Sequence, residues 1–322
     1  MTHAFVTGGT GFIGQHLIDV LTERGISVSA LHRPDSRGVS GWSAAAVTPV
    51  QGDLTRPDSL IAAMPDGVDL VFHVAADTSP WRGHAARQRR VNVGGTEAVL
   101  EAMRVRKAGR LVHVSTVAVW GHHDEPVHED LPQKGATHWV GYVRTKYEAE
   151  RRVKAATDID AVICNPGHVL GKYDAGNWGR LFRLIETGQL PGVPPGAGSF
   201  ANGRQVAEAL VAAALRGARG ENYLLGGPHM RFAELARLIA DMVGKPAPRP
   251  LPAAALKAIG QINHWISRIT GKPPDLTPES AYFVCHDERI DSSKAIRDLG
   301  YREIPVAQSL AECHAWQRQA GI

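Results

Sequence analysis

Residues 3–25, HAFVTGGTGFIGQHLIDVLTERG, pass from a short apolar run through glycines into a pattern with Phe12, Ile13, Leu17, Val20 and Leu21 along one side. That order predicts a strand, a tight turn and a helix. Gly8, Gly11 and Gly14 are spaced Gly-x-x-Gly-x-x-Gly. Glycine lets the backbone turn sharply and approach a pyrophosphate, while the free N–H groups that open a helix attract an anion. Such a turn says little alone. Placed between a strand and a helix, at the head of an alternating series, it predicts dinucleotide binding.

The series continues with strands expected near 26–31, 47–51, 69–74, 110–115 and 159–164, separated by helical stretches. Parallel strands need crossovers, so the alternation implies an α/β fold with a Rossmann-type, doubly wound parallel sheet. Asp53, in QGDL (51–54), follows the third strand; its carboxylate suits either an adenine amino group or a turn. After Pro166 the alternation loosens into GKYDAGNWGRLFRLIETGQLPGVPPGAG (171–198), rich in glycine and proline. From 251 to 270, Leu256, Ile259, Ile262, Ile266 and Ile269 form a helical stripe with Trp265 on its margin. Core packing or a cover over a pocket is the expectation, with membrane-surface attachment as the alternative.

Composition narrows the class. The 322 residues can bury a full core, and 43% hydrophobic with 21% charged residues describes an ordinary globular chain. The formal net charge is +4, but the densest basic cluster, RQRR (87–90), has no interleaved aromatics and reads as a solvated helix face, not a nucleic-acid surface. Cys164, Cys285 and Cys313 lack metal-site or disulfide-scaffold spacing, so no metal is expected and a reduced, cytoplasmic setting is. The opening MTHAFVTGG leaves no room for a signal peptide, and no apolar run approaches the roughly 18 residues of a membrane span.

TGGTGFIG (7–14), GDL (52–54), HVAA (73–76), VNVGGT (91–96), STVAVWG (115–121), YVRTK (142–146) and NPGHVLG (165–171) occur in the order and spacing of the extended short-chain dehydrogenase/reductases, the NAD-dependent epimerase/dehydratase family. The resemblance extends to DSSKAIRDLGY (291–301). Within the group the chain looks most like the dihydroflavonol reductase and 3β-hydroxysteroid dehydrogenase branch of carbonyl reductases. It implies a dinucleotide-binding core over residues 1–166, with contributions from about 203–226, and a smaller C-terminal substrate-binding lobe over 167–322. It further implies cofactor contacts at Gly8, Gly11, Phe12, Ile13, Gly14, His32, Arg33, Asp53, Leu54, Ala75, Asn92, Tyr142, Lys146 and Pro166, a small-molecule carbonyl or alcohol substrate, and pairing into a homodimer.

A phenol of pKa about 10 is a slow proton donor and no base at neutral pH. Lys146, one helical turn from Tyr142, is expected to lower that pKa together with the positive oxidised nicotinamide, and the resemblance implies that it also holds the nicotinamide ribose. Family alignment selects Thr116, in preference to its neighbour Ser115, as the hydroxyl that polarises the substrate oxygen. In VSALHRPDSRG (28–38), His32 stands where NAD enzymes carry an acid and Arg33 follows, which favours NADP(H) over NAD(H); Asp35 is the reservation. Trp81, Trp139, His168 and Trp178 fall where the family's substrate cleft lies and suggest an apolar or aromatic substrate. The expected activity is hydride transfer between NADPH and an aldehyde or ketone. Nucleotide-sugar epimerisation and non-catalytic redox sensing are the alternatives. Dehydration is disfavoured because Val117 and Ala118 replace the Asp-Glu pair of the family's dehydratases, and Ser199 stands where its epimerases place an arginine; Arg204 is a poor substitute, and Arg180 or Arg183 is the alternative.

Overall fold

The structure, a computed structural model, describes residues 2–36, 38–43 and 45–322. Its strands are β1 (His3–Thr7), β2 (Ser27–His32), β3 (Val47–Gln51), β4 (Leu70–His73), β5 (Arg110–Val114), β6 (Ala161–Pro166), β7 (His168–Leu170), β8 (Ala197–Asn202), β9 (Asn222–Leu225) and β10 (His229–Arg231). Its helices are α1 (Phe12–Glu23), α2 (Pro57–Ala63), α3 (Ala85–Arg89), α4 (Gly95–Arg106), α5 (Gly141–Ala155), α6 (Arg180–Glu186), α7 (Gly203–Arg216), α8 (Phe232–Met242), α9 (Ala253–Thr270), α10 (Pro278–Cys285), α11 (Ser293–Leu299) and α12 (Val306–Ala320).

Seven strands pair in parallel in the order β3, β2, β1, β4, β5, β6, β9. The five further strands expected from the sequence are all present, and β9 adds the seventh. Strand residues point alternately to the two faces. On one face Ala4, Val6, Val28, Val112 and Val114 pack against Leu17 and Leu21 of α1 and Val206 and Leu210 of α7. On the other, Phe5, Val71, Leu111 and Ile163 meet Leu60 of α2, Val99 and Met103 of α4 and Val153 of α5. The strand order reverses between β1 and β4, so their carboxyl ends, Thr7 and His73, open the crevice where such sheets hold ligands.

A three-stranded sheet, with β8 between parallel β7 and antiparallel β10, carries the second body of packing. Phe200, Phe182 and Ile185, Phe232 and Ile239, and Val306 and Leu310 join α6, α8 and α12 to it. The basic RQRR run is tied down: Arg87 pairs with Asp77 and Arg89 with Glu148.

The stripe on α9 corrects an expectation. Only Leu256 of its five aliphatic positions is buried, while Ile259, Ile262, Ile266 and Ile269 are exposed. Small residues decide this. Gly260 and Ser267 face inward, and a Cβ on Gly260 would stand 3.2 Å from the Pro278 nitrogen, so α9 packs closely on α10 through its glycine and serine side. Among the described residues no helix is long and apolar enough to cross a membrane.

At two positions around the turn after β1 there is no room for a side chain. Gly8 adopts φ +76° against the Ala75 backbone, and a Cβ on Gly14 would lie 2.0 Å from the Gly8 carbonyl oxygen. Gly14→Ala is expected to cost about 1–3 kcal/mol in urea unfolding, as overpacking does, and to weaken dinucleotide binding. Gly176→Ala, with nothing within 4 Å, serves as the control and should fall within about 0.5 kcal/mol of wild type.

Candidate active site

Gly11 caps α1 without a side-chain hydrogen bond, and no acidic residue lies in the first turn. The N–H groups there face the crevice with the helix dipole behind them, and no side chain competes for them, so the donor set fits a pyrophosphate. Gly11 N donates to Gly8 O at 3.0 Å, which holds the turn closed. This geometry unites Gly8, Gly11, Phe12, Ile13, Gly14 and Ala75.

The other predicted cofactor residues divide by their contacts. His32 ends β2, and the Arg33 side chain beyond it is 65% exposed, its one ion pair among the described residues being a 3.6 Å pairing to Asp35. Such a surface pair is weak, so the guanidinium is available to an anion. Asp53 shows a turn's contacts: its Oδ1 accepts from the Thr55 N–H at 2.8 Å and hydroxyl at 2.9 Å. Leu54 packs against Gly95, and Pro166 closes β6. Asn92 sits in a short π-helical turn, Arg90–Gly94, 2% exposed. Its Oδ1 accepts from the Asp77 N–H at 2.7 Å, and its Nδ2 donates to Asp77 O and Thr145 Oγ1. With its amide engaged by protein atoms, Asn92 braces the loop after β4 against α5.

Tyr142 and Lys146 share one face of α5, and that face meets the end of β5. The Lys146 Nζ donates to Val114 O at 2.7 Å, with the residue 3% exposed. Thr116 follows that strand in extended conformation, its Oγ1 accepting from Ala118 N at 3.3 Å. Burial raises the Tyr142 phenol to about 12, and the Thr116 hydroxyl, its hydrogen-bonding neighbour, pulls the other way. Burial lowers the Lys146 ammonium to about 8, opposed by Glu150. Without the cofactor's charge, the lowering expected from Lys146 and the oxidised nicotinamide together is outweighed by burial. In the protein itself desolvation dominates, and the ammonium is engaged with Val114 O. Ser115, beside Thr116, is buried on the opposite side with its hydroxyl unpartnered among the described residues.

A buried polar cluster beneath this pair escaped the sequence reading. Glu150 is 0% exposed; its Oε1 accepts from Gln133 Nε2 and Asn222 Nδ2, and its Oε2 from Asn165 Nδ2. Asn165 Nδ2 also donates to Thr116 O at 3.2 Å. Helix, β6, β9 and the Thr116 backbone are thus locked together. The available signal was spacing, since Glu150 continues the face of Tyr142 and Lys146 by one more turn.

Beyond Ala118 a cleft is lined by His122, His138, His168, Tyr282, His286 and Glu288 among others. His168 is the only one of the four predicted substrate residues on its wall. Trp178 lies behind it, stacked on Phe232 at 5.0 Å and edge-on to Phe200, so it belongs to the packing of the smaller sheet. Trp139 meets Tyr282 and Arg82 nearby, and the Trp81 indole N–H donates to Ser267 Oγ on α9. Burial lowers His168 to about 4 and raises Glu288 to about 7, and the Glu288 carboxyl has no hydrogen-bonding partner among the described residues. Among those residues no cluster of side chains could hold a metal.

The chain matches the NAD dependent epimerase/dehydratase family over residues 4–226. It is 29% identical to "Sterol demethylase protein B" of Methylococcus capsulatus, over 98% of each chain. It is 32% identical to the 4-hydroxy-2-methyl-3-oxo-4-farnesyl-3,4-dihydroquinoline-1-oxide ketoreductase of Stigmatella aurantiaca, over 92% of this chain and 91% of that one. The crystal structure of gox2253 superposes with a TM-score of 0.86 at 29% identity, over 100% of this chain and 99% of the other. The chain belongs to the NAD-dependent epimerase/dehydratase family, the extended short-chain dehydrogenase/reductases, and is an NAD(P)-dependent oxidoreductase.

The buried ammonium has a measurable consequence. Below pH 8 Lys146 is charged both folded and unfolded, and its desolvation costs about 3 kcal/mol for a pKa lowered from 10.5 to about 8. Between pH 8 and 10.5 the unfolded chain binds the extra proton, so stability rises with pH and the penalty disappears. Lys146→Met should therefore unfold at higher urea than wild type at pH 7, with a gain that shrinks towards pH 10. A constant difference across that range would refute the buried-charge account.

Proposed function

We propose that this member of the family is an NADPH-dependent reductase, working reversibly on an aldehyde or ketone carried by a largely apolar small molecule. The observation that carries the reading is the convergence of Thr116, Tyr142 and Lys146 at the carboxyl end of β5, beside a cleft with aromatic walls. On this reading residues 1–166, with about 203–226, hold the cofactor and 167–322 mainly shape the substrate.

When bound, the nicotinamide cofactor supplies the hydride that adds to the carbonyl carbon. Thr116 and Tyr142 hydrogen-bond the carbonyl oxygen, and Tyr142 gives it a proton as charge develops there. The phenol is protonated at neutral pH and so carries the proton to be given, while burial makes it a weaker acid that needs nearby positive charge to release it. Lys146 holds the ribose hydroxyls and steadies the phenolate left behind. The glycine turn takes the pyrophosphate, and Arg33 takes the adenosine 2′-phosphate that distinguishes NADPH.

Three features weigh against a nucleotide sugar. Ser199 is buried, its hydroxyl accepting from Ile290 N. Arg204 is committed to Glu23 and Glu208, tying α7 to α1. Val117, in the place of a dehydratase acid, is packed with Val119, Trp120 and Leu224.

Tyr142→Phe is expected to lower kcat by about 10²- to 10⁴-fold with NADPH affinity nearly unchanged, read as loss of absorbance at 340 nm against a panel of aldehydes, aryl ketones, steroids and nucleotide sugars. Retained activity would remove Tyr142 from its role. Interconversion of UDP-sugar epimers without net NADPH consumption would replace the reductase reading with an epimerase one.

Arg33→Ala should weaken NADPH binding about ten- to a hundredfold, the worth of one charge-assisted contact, and leave NADH binding close to unchanged. Equal losses with both, measured by calorimetry, would overturn the assignment of the 2′-phosphate to Arg33.

A further inference from the structure

Helix α9 holds Ile259, Ile262, Trp265, Ile266 and Ile269 on the surface, half of the large exposed apolar side chains among the described residues. They are not scattered. At 100° per residue the five fall within about 120° of arc, next to the inward arc of Leu256, Gly260 and Ser267. The outermost, Ile269, is 87% exposed, so the face is uncovered along three turns. Isolated surface hydrophobics need no explanation, whereas a continuous stripe of them marks an interaction surface.

The charges around the stripe select the partner. Residues 251–274 contain Lys257, Arg268 and Lys272 and no Asp or Glu. The Arg268 guanidinium lies over the Trp265 ring at 5.5 Å, joining an amphipathic indole to a cation at the edge of the apolar arc. Branched aliphatics in the middle, a tryptophan at the margin and unopposed positive charge alongside are what a helix lying in the plane of an anionic lipid surface presents. At 18 residues, two of them charged, the helix is not long and apolar enough to be a span.

Position strengthens the case. Ser267 of α9 receives the Trp81 indole N–H, Gly260 seats on α10, and α10 sends Tyr282 and Phe283 into the wall of the cleft beyond Ala118. We propose that α9 docks this protein on anionic lipid bilayers through the Ile259–Ile269 stripe. The docked face lies one helix away from the cleft, so a substrate dissolved in lipid would be presented beside it. That last clause rests on the reductase reading; the docking itself does not.

The test is sedimentation of the full chain with sucrose-loaded vesicles of phosphatidylcholine containing one-third phosphatidylglycerol, and with pure phosphatidylcholine. The protein is expected to pellet with the anionic vesicles, more weakly with neutral ones, and less as salt is raised. Brominated lipid should quench its fluorescence, and Trp265→Phe should remove that quenching. Ile262→Asp/Ile266→Asp, at exposed positions and with an unfolding midpoint within a few degrees of wild type, should lower vesicle binding about tenfold or more. Lys257→Glu/Arg268→Glu should abolish the preference for anionic vesicles. Failure of wild type to pellet with either vesicle overturns the proposal. So does vesicle-independent dimerisation in ultracentrifugation that the double aspartate variant destroys, since the stripe would then meet a second copy of the chain. Each outcome can be read whether or not a carbonyl substrate has been found.

Discussion

A lysine ammonium pressed against the carbonyl of Val114, almost out of reach of water, sets the geometry of everything around it. The contact fixes α5 against the end of β5, and Thr116 lies two residues beyond that carbonyl. An unpaired ammonium could not remain there. The surroundings are therefore organised to hold the helix in one register: Asn92 ties Thr145 to the loop after β4, and Glu150 ties the next turn to Asn165 and Asn222. The three groups read as reactive all sit on this braced frame, and none of them depends on a long loop for its position.

The parts legible in the sequence are those written in local grammar. The strand, glycine turn and helix at 3–25 could be read because steric exclusion acts between near neighbours: Gly14 must clear Gly8, and Gly8 needs a positive φ. Strands of a parallel sheet are continuous apolar runs bounded by turns, so five of the six parallel strands after β1 were placed in advance; β9 lies beyond the point where the alternation loosens. Tyr142 and Lys146 were legible through helical spacing and motif order together.

What escaped was non-local. Glu150 and Asn165 stand on a helix and a strand with nothing in their immediate sequence to distinguish them, and their importance appears only when β6 and β9 are side by side. Glu288 and Tyr282 reach the cleft from the far end of the chain. The surroundings of Trp178 are non-local too: Phe200 and Phe232, which pack against it, come from separate elements. Helix α9 departs from the core-packing expectation because hydrophobicity is not its inward signal: close packing on α10 uses its smallest residues.

Burial shifts Tyr142 and Lys146 in opposite directions on the pH scale, and each towards neutrality: the phenol becomes harder to ionise and the ammonium easier to deprotonate. On the proposed reductase reading the protonated phenol is the donor for an alkoxide forming on a reduced carbonyl, and the reverse reaction would need the phenolate, of whose stabilisation Thr116 and a protonated Lys146 would give part. A positive charge on the oxidised nicotinamide ring would supply more, lowering the phenol only when alcohol oxidation is the available chemistry. The direction-dependent part of the acid–base balance then resides in the redox state of the cofactor. The polypeptide contributes the fixed part, a desolvated frame in which a single added charge is felt strongly because so little water remains to screen it.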